Sequence, residues 1–298
     1  MDINRYSPSY ILDKKHLIGL SDYSTEEIFE LLYATKALKR KFEAHEETNI
    51  LRGTTVALLF ADTSLRTRSA IEIGTHQLGG SCVDLPYSDK DMHAGENVKD
   101  IVNVISRYGV SALVTRGINK KLLKEFTAIS SMPIINSHND DCVPIQALSD
   151  LFTIWEKKGE LAGVKLAVVG RATSMTSSFV IGAVKCGMDV SLACPARYGL
   201  KRENMEAAEQ LGKIYTTDNP IEAVRDADVV YTNAYRYHTV ISDEEKEIFA
   251  PYRVDAGLMS YAKHNSVFMH PLPATRGQEV TADVIDGKHS IVYDQGEN

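Results

Sequence analysis

The chain has 298 residues, of which 44% are hydrophobic and 24% are charged; this globular composition fits two domains of roughly 150 residues each. The formal net charge of −7 argues against nucleic acid or a membrane surface as a partner, because both favour basic proteins. The four scattered cysteines lack CxxC spacing, which argues against structural zinc and a disulfide framework. Neither a signal-peptide pattern nor an apolar run near the ~18 residues of a membrane span occurs, so we expect a cytoplasmic protein without a metal.

Short apolar runs alternate with amphipathic stretches along the chain, a pattern typical of α/β proteins with mainly parallel sheets. A helix is predicted from Ser24 to Ala44, with a capping box at its start. Residues 54–60 predict a buried strand, and residues 68–78 predict the next helix. Further strands of the first half are predicted at residues 81–85, 112–115 and 133–136.

The middle of the chain, residues 145–158, has the apolar spacing of a helix that could bridge two halves. We place a domain boundary near residue 150 on this helix, which gives domains of residues 1–150 and 151–298. Later strands are predicted at residues 165–170, 189–193, 228–232 and 266–269. The predicted fold class is therefore α/β, with two doubly wound parallel-sheet domains bridged by helices.

One segment, Ser64-Leu-Arg-Thr-Arg68, lies where a strand ends and a helix begins. Such a helix N-terminus presents unpaired backbone N–H groups and a partial positive charge, and both favour a phosphate dianion. Ser64 and Thr67 add hydroxyl groups, and Arg66 adds a guanidinium fork. A capped turn with solvated arginines explains this loop equally well, with Arg68 paired to Glu72, so the loop alone leaves both interpretations open.

Nucleotide-binding patterns are absent from the sequence. No GxxxxGK[ST] or GxGxxG motif occurs, and Gly170-Arg-Ala-Thr-Ser174 follows a strand without the second and third glycines of a dinucleotide fingerprint. A dinucleotide-type fold of the second domain remains plausible, but dinucleotide binding is not supported. We therefore predict no cofactor.

Several further motifs follow the loop in a fixed order. They are Gly95-Glu96, Arg116 after a strand, Val143-Pro-Ile-Gln146, Asp228-Val-Val-Tyr-Thr232, His270-Pro-Leu-Pro273, Glu279-Val-Thr-Ala-Asp283 and Asp294-Gln-Gly-Glu-Asn298. Together with the Ser-x-Arg-Thr-Arg loop they resemble the aspartate and ornithine carbamoyltransferase family over most of the chain. Each motif is weak alone, and the resemblance rests on their order and spacing. It implies an enzyme that moves the carbamoyl group of carbamoyl phosphate to a small amine, nearer the ornithine branch.

The resemblance also implies a carbamoyl-phosphate site. Ser64, Arg66 and Thr67 are expected to bind the phosphate, with a backbone N–H from Leu65. Arg116 corresponds to the arginine that reaches both the phosphate and the carbonyl oxygen.

A second group of residues is implied for the carbamoyl group. Gln146 is expected to hold its amide, and the peptide between Leu272 and Pro273 is expected to be cis, directing the leucine carbonyl at the attacking amine. Pro271 completes this set. The residues that the resemblance makes catalytic are Arg66, Arg116, Gln146, His270 and Leu272.

Val143 stands where the family carries a histidine that donates to the carbamoyl oxygen. Its loss removes one donor, an effect of ~3 kcal/mol in comparable oxyanion sites. His138, five residues upstream, is either a replacement or a solvated bystander.

The acceptor site departs most from the family. Asn233 stands where ornithine enzymes carry the acidic residue that meets the α-ammonium group, and their Ser-Met-Gly loop is missing. Aspartate enzymes place arginines in the two acceptor positions, and the corresponding residues here are not arginines. Arg171 and Arg236 lie near those positions and either bind a carboxylate or are solvated. The expected acceptor-binding residues are Thr173, Ser174, Asn233, Tyr235 and Arg236.

Members of the family form trimers in which a neighbouring subunit completes each active site. The corresponding loop here is residues 88–96, with Lys90 and His93 as candidate contacts, so a homotrimer with shared active sites is expected. The preferred function is transfer to an ornithine-like acceptor, with ornithine itself doubtful. The alternatives are an aspartate carbamoyltransferase and a non-catalytic paralogue that binds carbamoyl phosphate as a regulatory subunit.

Overall fold

The structure is a computed structural model that describes residues 1–86, 98–235 and 241–298. The chain divides into two compact units. The first unit contains residues 8–23 and 30–145, and the second contains residues 1–7, 24–29 and 146–298. The assignment of domains to residues 1–150 and 151–298 stays a prediction.

The first unit is built on a four-stranded parallel sheet in the order β2-β1-β3-β4. Its strands are β1 (Thr55–Phe60), β2 (Ser81–Leu85), β3 (Val110–Arg116) and β4 (Ile134–His138). The helices of this half of the chain are α1 (Thr25–Glu43), α2 (Leu65–Gln77), α3 (Val98–Arg107) and α4 (Lys120–Ile129). Apolar side chains of β1, β3 and β4 pack against α4, where Leu123 and Phe126 are fully buried.

The second unit is built on a five-stranded parallel sheet in the order β7-β6-β5-β8-β9. Its strands are β5 (Lys165–Val169), β6 (Asp189–Ala193), β7 (Ile214–Thr217), β8 (Val229–Thr232) and β9 (Val267–Met269). The helices are α5 (Pro144–Lys158), α6 (Ser174–Lys185), α7 (Arg202–Glu209), α8 (Pro220–Val224), α9 (Asp243–Phe249), α10 (Ala256–Met259), α11 (Ala282–Ile285) and α12 (Val292–Glu297). The core of this unit is apolar, and Val230 of β8 and Phe268 of β9 are among its fully buried residues.

The predicted fold class is confirmed, because both sheets are parallel and carry helices between their strands. The capping box of α1 is present: Glu27 N–H donates to Ser24 Oγ at 3.2 Å, and Ser24 N–H donates to Glu27 Oε2 at 2.8 Å. Several bounds differ from the prediction: helix α2 begins at Leu65 rather than at residue 68, and β3 covers Val110–Arg116 rather than residues 112–115. The strand β7 was not predicted, because this edge strand has no buried apolar run.

The order of the strands determines where loops with functional residues can lie. In the first sheet the chain runs from β1 to β2 on one side and later to β3 on the other side of β1. In the second sheet it runs from β5 to β6 and β7, and then to β8 on the opposite side. Ligands of such sheets bind beyond the carboxyl ends of the strands at these reversal points. The loops after β1 and β3, and after β5 and β8, therefore occupy the expected positions.

In the part of the chain that the structure describes, no helix is both long and apolar enough to cross a membrane.

Candidate active site

The loop after β1 leads into the N-terminus of α2. Ser64 is the N-cap residue, with an extended backbone, and its side chain makes no capping hydrogen bond. Its carbonyl accepts the Arg68 N–H at 3.1 Å, so the helix begins with the first turn of backbone N–H groups presented at this point. Leu65 is 83% exposed, and Arg66 is exposed as well. A helix N-terminus with this geometry is compatible with the predicted phosphate site.

Arg116 is the last residue of β3 and pairs in register with Phe60, the last residue of β1. Its side chain is 17% exposed and reaches over the loop. The guanidinium donates from Nε to Asp62 Oδ1 at 2.8 Å and from Nη1 to Thr67 Oγ1 at 3.5 Å. Strand pairing thus brings together Arg116 and Thr67, two of the predicted phosphate ligands.

Arg68 has a different position. It forms ion pairs with Asp84 of β2 and, at 3.9 Å, with Glu72 one turn along α2, and its guanidinium lies 5.0 Å from the Phe60 ring centre. These contacts tie α2 to β1 and β2. The second arginine of the motif is a structural brace, and Arg66 is the exposed one.

His138 ends β4 and pairs in register with Arg116. Its Nδ1 atom is buried and has no hydrogen-bond partner among the described residues. Burial and the neighbouring Arg116 lower the pKa of His138, which favours a neutral imidazole. Val143, at the position of the missing family histidine, is 3% exposed in the apolar interior. His138 therefore places an imidazole beside Arg116 at the ends of β3 and β4.

The loop after β9 contains the expected cis peptide between Leu272 and Pro273. His270 precedes it and is fully buried. Its Nδ1 accepts the Leu272 N–H at 2.9 Å, and its Nε2 lies 3.2 Å from Glu279 Oε1. The imidazole therefore shapes the backbone of this turn.

Gln146 lies in the first turn of α5 and donates from Nε2 to Asp150 Oδ1 at 2.8 Å. Asp150 is fully buried, and burial raises the pKa of its carboxyl to about 7. The same Oδ1 accepts Gln295 Nε2 at 2.7 Å. The Asp150 carboxyl thus binds both Gln146 of α5 and Gln295 of α12.

The loops after β5 and β8 bring together two predicted acceptor residues. Asn233 is 2% exposed and donates from Nδ2 to Thr173 Oγ1 at 3.1 Å and to Thr176 Oγ1 at 3.0 Å. Thr173 is the N-cap of α6 and forms a capping box with Thr176; Ser174 is the first residue of that helix and is half-buried. The Asn233 Oδ1 atom is buried and has no partner within the described ranges.

Tyr235 is 2% exposed and stacks on Phe249 with ring centres 4.4 Å apart. Its hydroxyl donates to the Phe249 carbonyl at 3.4 Å, and burial raises the pKa of the phenol. The ring lies close to Gly170, where an added Cβ would come within 2.9 Å of Tyr235 Cε1. Gly170 also has φ +107°, so glycine is required at this close approach.

Arg171 is not the solvated surface residue that one interpretation of the sequence expected. Its guanidinium forms an ion pair with Glu245, 74 residues away, at 2.5 Å and lies 4.3 Å from the Tyr198 ring centre. The side chain is 21% exposed, and its Nε atom is buried without a hydrogen-bond partner among the described residues. Its role as a carboxylate ligand stays a prediction.

Two family models together match most of the chain. The family model of the aspartate/ornithine carbamoyltransferase carbamoyl-P binding domain matches residues 15–156, and that of the Asp/Orn binding domain matches residues 162–298. The ornithine carbamoyltransferase of Bacillus subtilis (strain 168) is 41% identical over 291 residues, 95% of this chain and 90% of that protein. That of Pyrococcus abyssi is 38% identical over 294 residues, 96% of this chain and 92% of that protein.

The chain belongs to the aspartate/ornithine carbamoyltransferase family. The solved ornithine carbamoyltransferase from Pyrococcus furiosus superposes with a TM-score of 0.90 at 37% identity, covering 95% of this chain and 92% of that one. The N-acetyl-L-ornithine transcarbamylase structure gives a TM-score of 0.82 at 27% identity, covering 95% and 96%. The predicted family and its ornithine branch are confirmed, and the protein is a carbamoyltransferase.

Membership in the family leaves the individual roles to be tested. Lys90, His93 and Arg236 lie outside the described residues, as does the predicted loop of residues 88–96. Sequence reasoning missed the contributions of Asp62, Asp150 and Gln295. The four-residue spacing of Gln146 and Asp150 on a helix was a usable signal. Gln295 lies in the motif Asp294-Gln-Gly-Glu-Asn298, but its pairing with Asp150, 145 residues away, left no local signal.

Proposed function

We propose that this carbamoyltransferase moves the carbamoyl group of carbamoyl phosphate to the amine of a small amino-acid-like acceptor and releases phosphate. The observation that carries the proposal is the cradle at the start of α2. There the Ser64 side chain makes no capping hydrogen bond, Arg66 is exposed, and Arg116 contacts Thr67. Helix N–H groups and two arginines in one place suit a phosphate dianion.

The donor would be bound by the hydroxyls of Ser64 and Thr67, the Leu65 N–H and the Arg66 guanidinium. Arg116 would reach the phosphate and the carbonyl oxygen. Asp62 accepts from its Nε at 2.8 Å, which orients the remaining N–H groups of the fork. In this arrangement, the two arginines stabilise the negative charge that develops on the carbonyl oxygen and on the leaving phosphate. Such preorganised electrostatic stabilisation is the largest contribution to rate enhancement in many enzymes.

The reaction needs little covalent participation by the protein. An uncharged amine attacks the carbamoyl carbon and a tetrahedral oxyanion forms. The bond to phosphate then breaks, and the proton that the amine nitrogen loses is taken up by the leaving phosphate. We assign the carbamoyl nitrogen to Gln146 and to the Leu272 carbonyl, with Pro271 and His270 shaping the turn. Holding both reactants in one geometry supplies much of the rate. His138 is the candidate for the donor that Val143 cannot provide.

The acceptor is assigned to Thr173, Ser174, Asn233, Tyr235 and Arg236. Asn233 keeps a buried oxygen without a partner among the described residues, and this oxygen can accept one hydrogen bond from an acceptor N–H. An amide cannot pair with an α-ammonium group as a carboxylate would. We therefore propose an ornithine-like acceptor other than ornithine itself.

A non-catalytic role is the second candidate, because Val143 removes a donor to the carbamoyl oxygen. Aspartate is a weaker alternative, since Arg171 is already paired with Glu245. We further propose a homotrimer in which residues 88–96 of a neighbour complete each site, with Lys90 or His93 as the contact, and a cytoplasmic location.

The test incubates the protein with carbamoyl phosphate and a panel of diamines, diamino acids and aspartate, and follows phosphate release and ureido product. Turnover with a diamine or diamino acid supports the proposal, and turnover with aspartate alone would replace it with the aspartate alternative. Binding of carbamoyl phosphate without turnover on the whole panel would leave the non-catalytic role.

The cradle has its own test. Arg66→Ala should weaken carbamoyl-phosphate binding roughly 100-fold, because a charged hydrogen-bonded pair contributes about 3 kcal/mol. Arg202→Ala is the matched control, since Arg202 begins α7 and is exposed. Equal affinities of the two variants, measured by calorimetry, would refute the assignment. Size-exclusion chromatography with light scattering tests the trimer.

A further inference from the structure

A continuous set of polar side chains, all buried except the half-buried Gln146, runs through the second unit. It starts at Gln146, which donates to Asp150 Oδ1 at 2.8 Å, and continues through Gln295, which donates to the same oxygen at 2.7 Å. Gln295 Oε1 accepts the His270 backbone N–H at 2.9 Å. His270 Nδ1 accepts the Leu272 N–H at 2.9 Å. One carboxyl group therefore connects α5 with the turn that holds Leu272.

The connection fixes orientations as well as positions. An ionised carboxylate only accepts hydrogen bonds, so both glutamines must present their NH2 groups to Asp150. The Gln146 Oε1 then points away from Asp150, as an acceptor. Gln295 is fixed in the same way, because its Oε1 is committed to the His270 N–H.

A second buried carboxylate lies at the far end of the set. Glu279 is 1% exposed, its Oε1 accepts the Thr275 N–H at 2.6 Å, and the same atom lies 3.2 Å from His270 Nε2, which makes no hydrogen bond among the described residues. His270 Nδ1 must be unprotonated to accept the Leu272 N–H, so a neutral imidazole carries its proton on Nε2. The Leu272 N–H therefore determines the tautomer of the neutral His270.

We propose that Asp150 is a positioning residue of carbamoyl transfer: its buried carboxyl orients the Gln146 amide and, through Gln295, the main chain from His270 to Leu272. This inference rests on the proposed function of Gln146 and Leu272. Neither the family models nor the relatives' names assign a role to Asp150. Without its carboxyl the Gln146 amide is free to rotate, and the oxygen and NH2 group can exchange places.

The electrostatics of Asp150 give the proposal a measurable signature. Burial raises the pKa of this carboxyl to about 7, against the lowering effect of the hydrogen bonds from Gln146 and Gln295. Both donors are neutral; the charged or titratable groups further along are His270 and Glu279. The carboxyl therefore changes protonation near neutral pH, and both glutamine amides change their hydrogen bonding with it.

The first test measures the hydrogen bonding of the two glutamine side chains directly and does not depend on enzymatic activity. The side-chain NH2 groups of 15N-glutamine-labelled full-length protein are followed by NMR from pH 5.5 to 8.5, with Gln146→Met and Gln295→Met used for assignment. In the wild-type protein the two signals should shift together with a midpoint near pH 7. In the isosteric variant Asp150→Asn this shift should vanish. Signals that titrate equally in Asp150→Asn would overturn the proposal.

The second test reads catalysis. Asp150→Leu should lower kcat about 100-fold, because a misplaced contact group costs this much, and should change the KM for carbamoyl phosphate less than threefold. Asp150→Asn keeps one acceptor oxygen, so its kcat should be about tenfold higher than that of Asp150→Leu. The kcat of Asp150→Asn should no longer change near pH 7. The matched control is Asp228→Asn, which removes an ion pair with Lys263 at 2.8 Å and should leave both readouts at wild-type values.

The outcomes separate the two proposals. Wild-type kcat in Asp150→Leu and Asp150→Asn would overturn the positioning role alone. No turnover by the wild-type protein with any amine would overturn the proposed function, and with it the role in transfer, even where the coupled titration is seen. Thermal melting of each variant identifies a loss of folding, in which case Asp150→Asn alone decides.

Discussion

The loops at the two strand-order reversals differ in what their polar groups do. At the start of α2, Ser64 leaves its hydroxyl unused for capping and Arg66 is exposed. At the start of α6, Thr173 closes a capping box and also accepts from Asn233, while Arg171 is paired with Glu245. The same topology thus supports an open cationic loop in the first unit and a packed loop in the second. The topology determines where a site can form, and the side chains determine how many polar groups are accessible to a ligand there.

The largest effect is expected from removing the cation that the first loop depends on. Arg116→Ala should lower kcat about 1000-fold, as loss of an oxyanion donor does, because Arg116 is only 17% exposed and already aligned by Asp62. Arg116→Lys should recover little, since a lysine cannot form the same fork. Steady-state phosphate release measures both. A fall below tenfold in Arg116→Ala would contradict the view that this loop is built around charge.

The second largest effect is a pH dependence of folding stability caused by Asp150 of the second unit. Its sign follows from the linkage between proton binding and folding. Because burial raises the pKa of Asp150 from 3.8 to about 7, the folded protein holds a proton that the unfolded chain has lost above pH 4. Its stability should therefore fall as pH rises from about 4 to about 7 and stay level above. Between pH 5 and pH 7 this group should contribute a loss of about 2–3 kcal/mol, at ~1.4 kcal/mol per pH unit.

Urea unfolding of the wild-type protein and Asp150→Asn at both pH values measures this contribution as a difference between two slopes. The variant should lack the slope. A wild-type stability that rises with pH relative to the variant would mean that Asp150 is ionised at low pH and stabilised by contacts other than those seen.

The close approach at Gly170 tests how tightly the second loop is packed. Gly170→Ala should destabilise the protein by about 2 kcal/mol, because its Cβ would lie 2.9 Å from Tyr235 Cε1 at φ +107°. Gly199→Ala is the control, since nothing lies within 4 Å of an added Cβ there. Chemical denaturation compares them. Equal stabilities would show that Tyr235 moves easily and that the loop is looser than its contacts indicate.

A charge introduced into the packed loop should change specificity. Asn233→Asp restores a carboxylate at this position, and the hydroxyls of Thr173 and Thr176 can donate to it. We expect kcat/KM for acceptors with an α-ammonium group to rise about tenfold relative to simple amines, as a new charged pair provides. An unchanged ratio across the amine panel would place the α-ammonium site elsewhere.

These differences also explain what the sequence could and could not predict. Helix α1 and the strands of the first sheet follow from local apolar patterns, and the loop at Ser64–Arg68 holds most of the predicted phosphate ligands within five consecutive residues. The ion pair of Arg171 could not be predicted, because its partner Glu245 is 74 residues away. The edge strand β7 was missed because it has no buried residue to reveal it. Local sequence patterns predicted helices, strands and the loop motif, whereas they could not predict contacts between residues that are far apart in the chain.

The smallest effect is a direct comparison of the two helix starts. Thr173→Ala should destabilise the protein by about 1 kcal/mol, because it removes a capping bond to Thr176 N–H and an acceptor for Asn233. Ser64→Ala should change the unfolding free energy by less than about 0.5 kcal/mol, since the Ser64 side chain makes no capping bond, yet it should weaken phosphate binding. Thermal unfolding with and without phosphate separates the two. A stability loss in Ser64→Ala equal to that in Thr173→Ala would mean that both hydroxyls serve the fold, and the contrast between an open and a packed loop would fail.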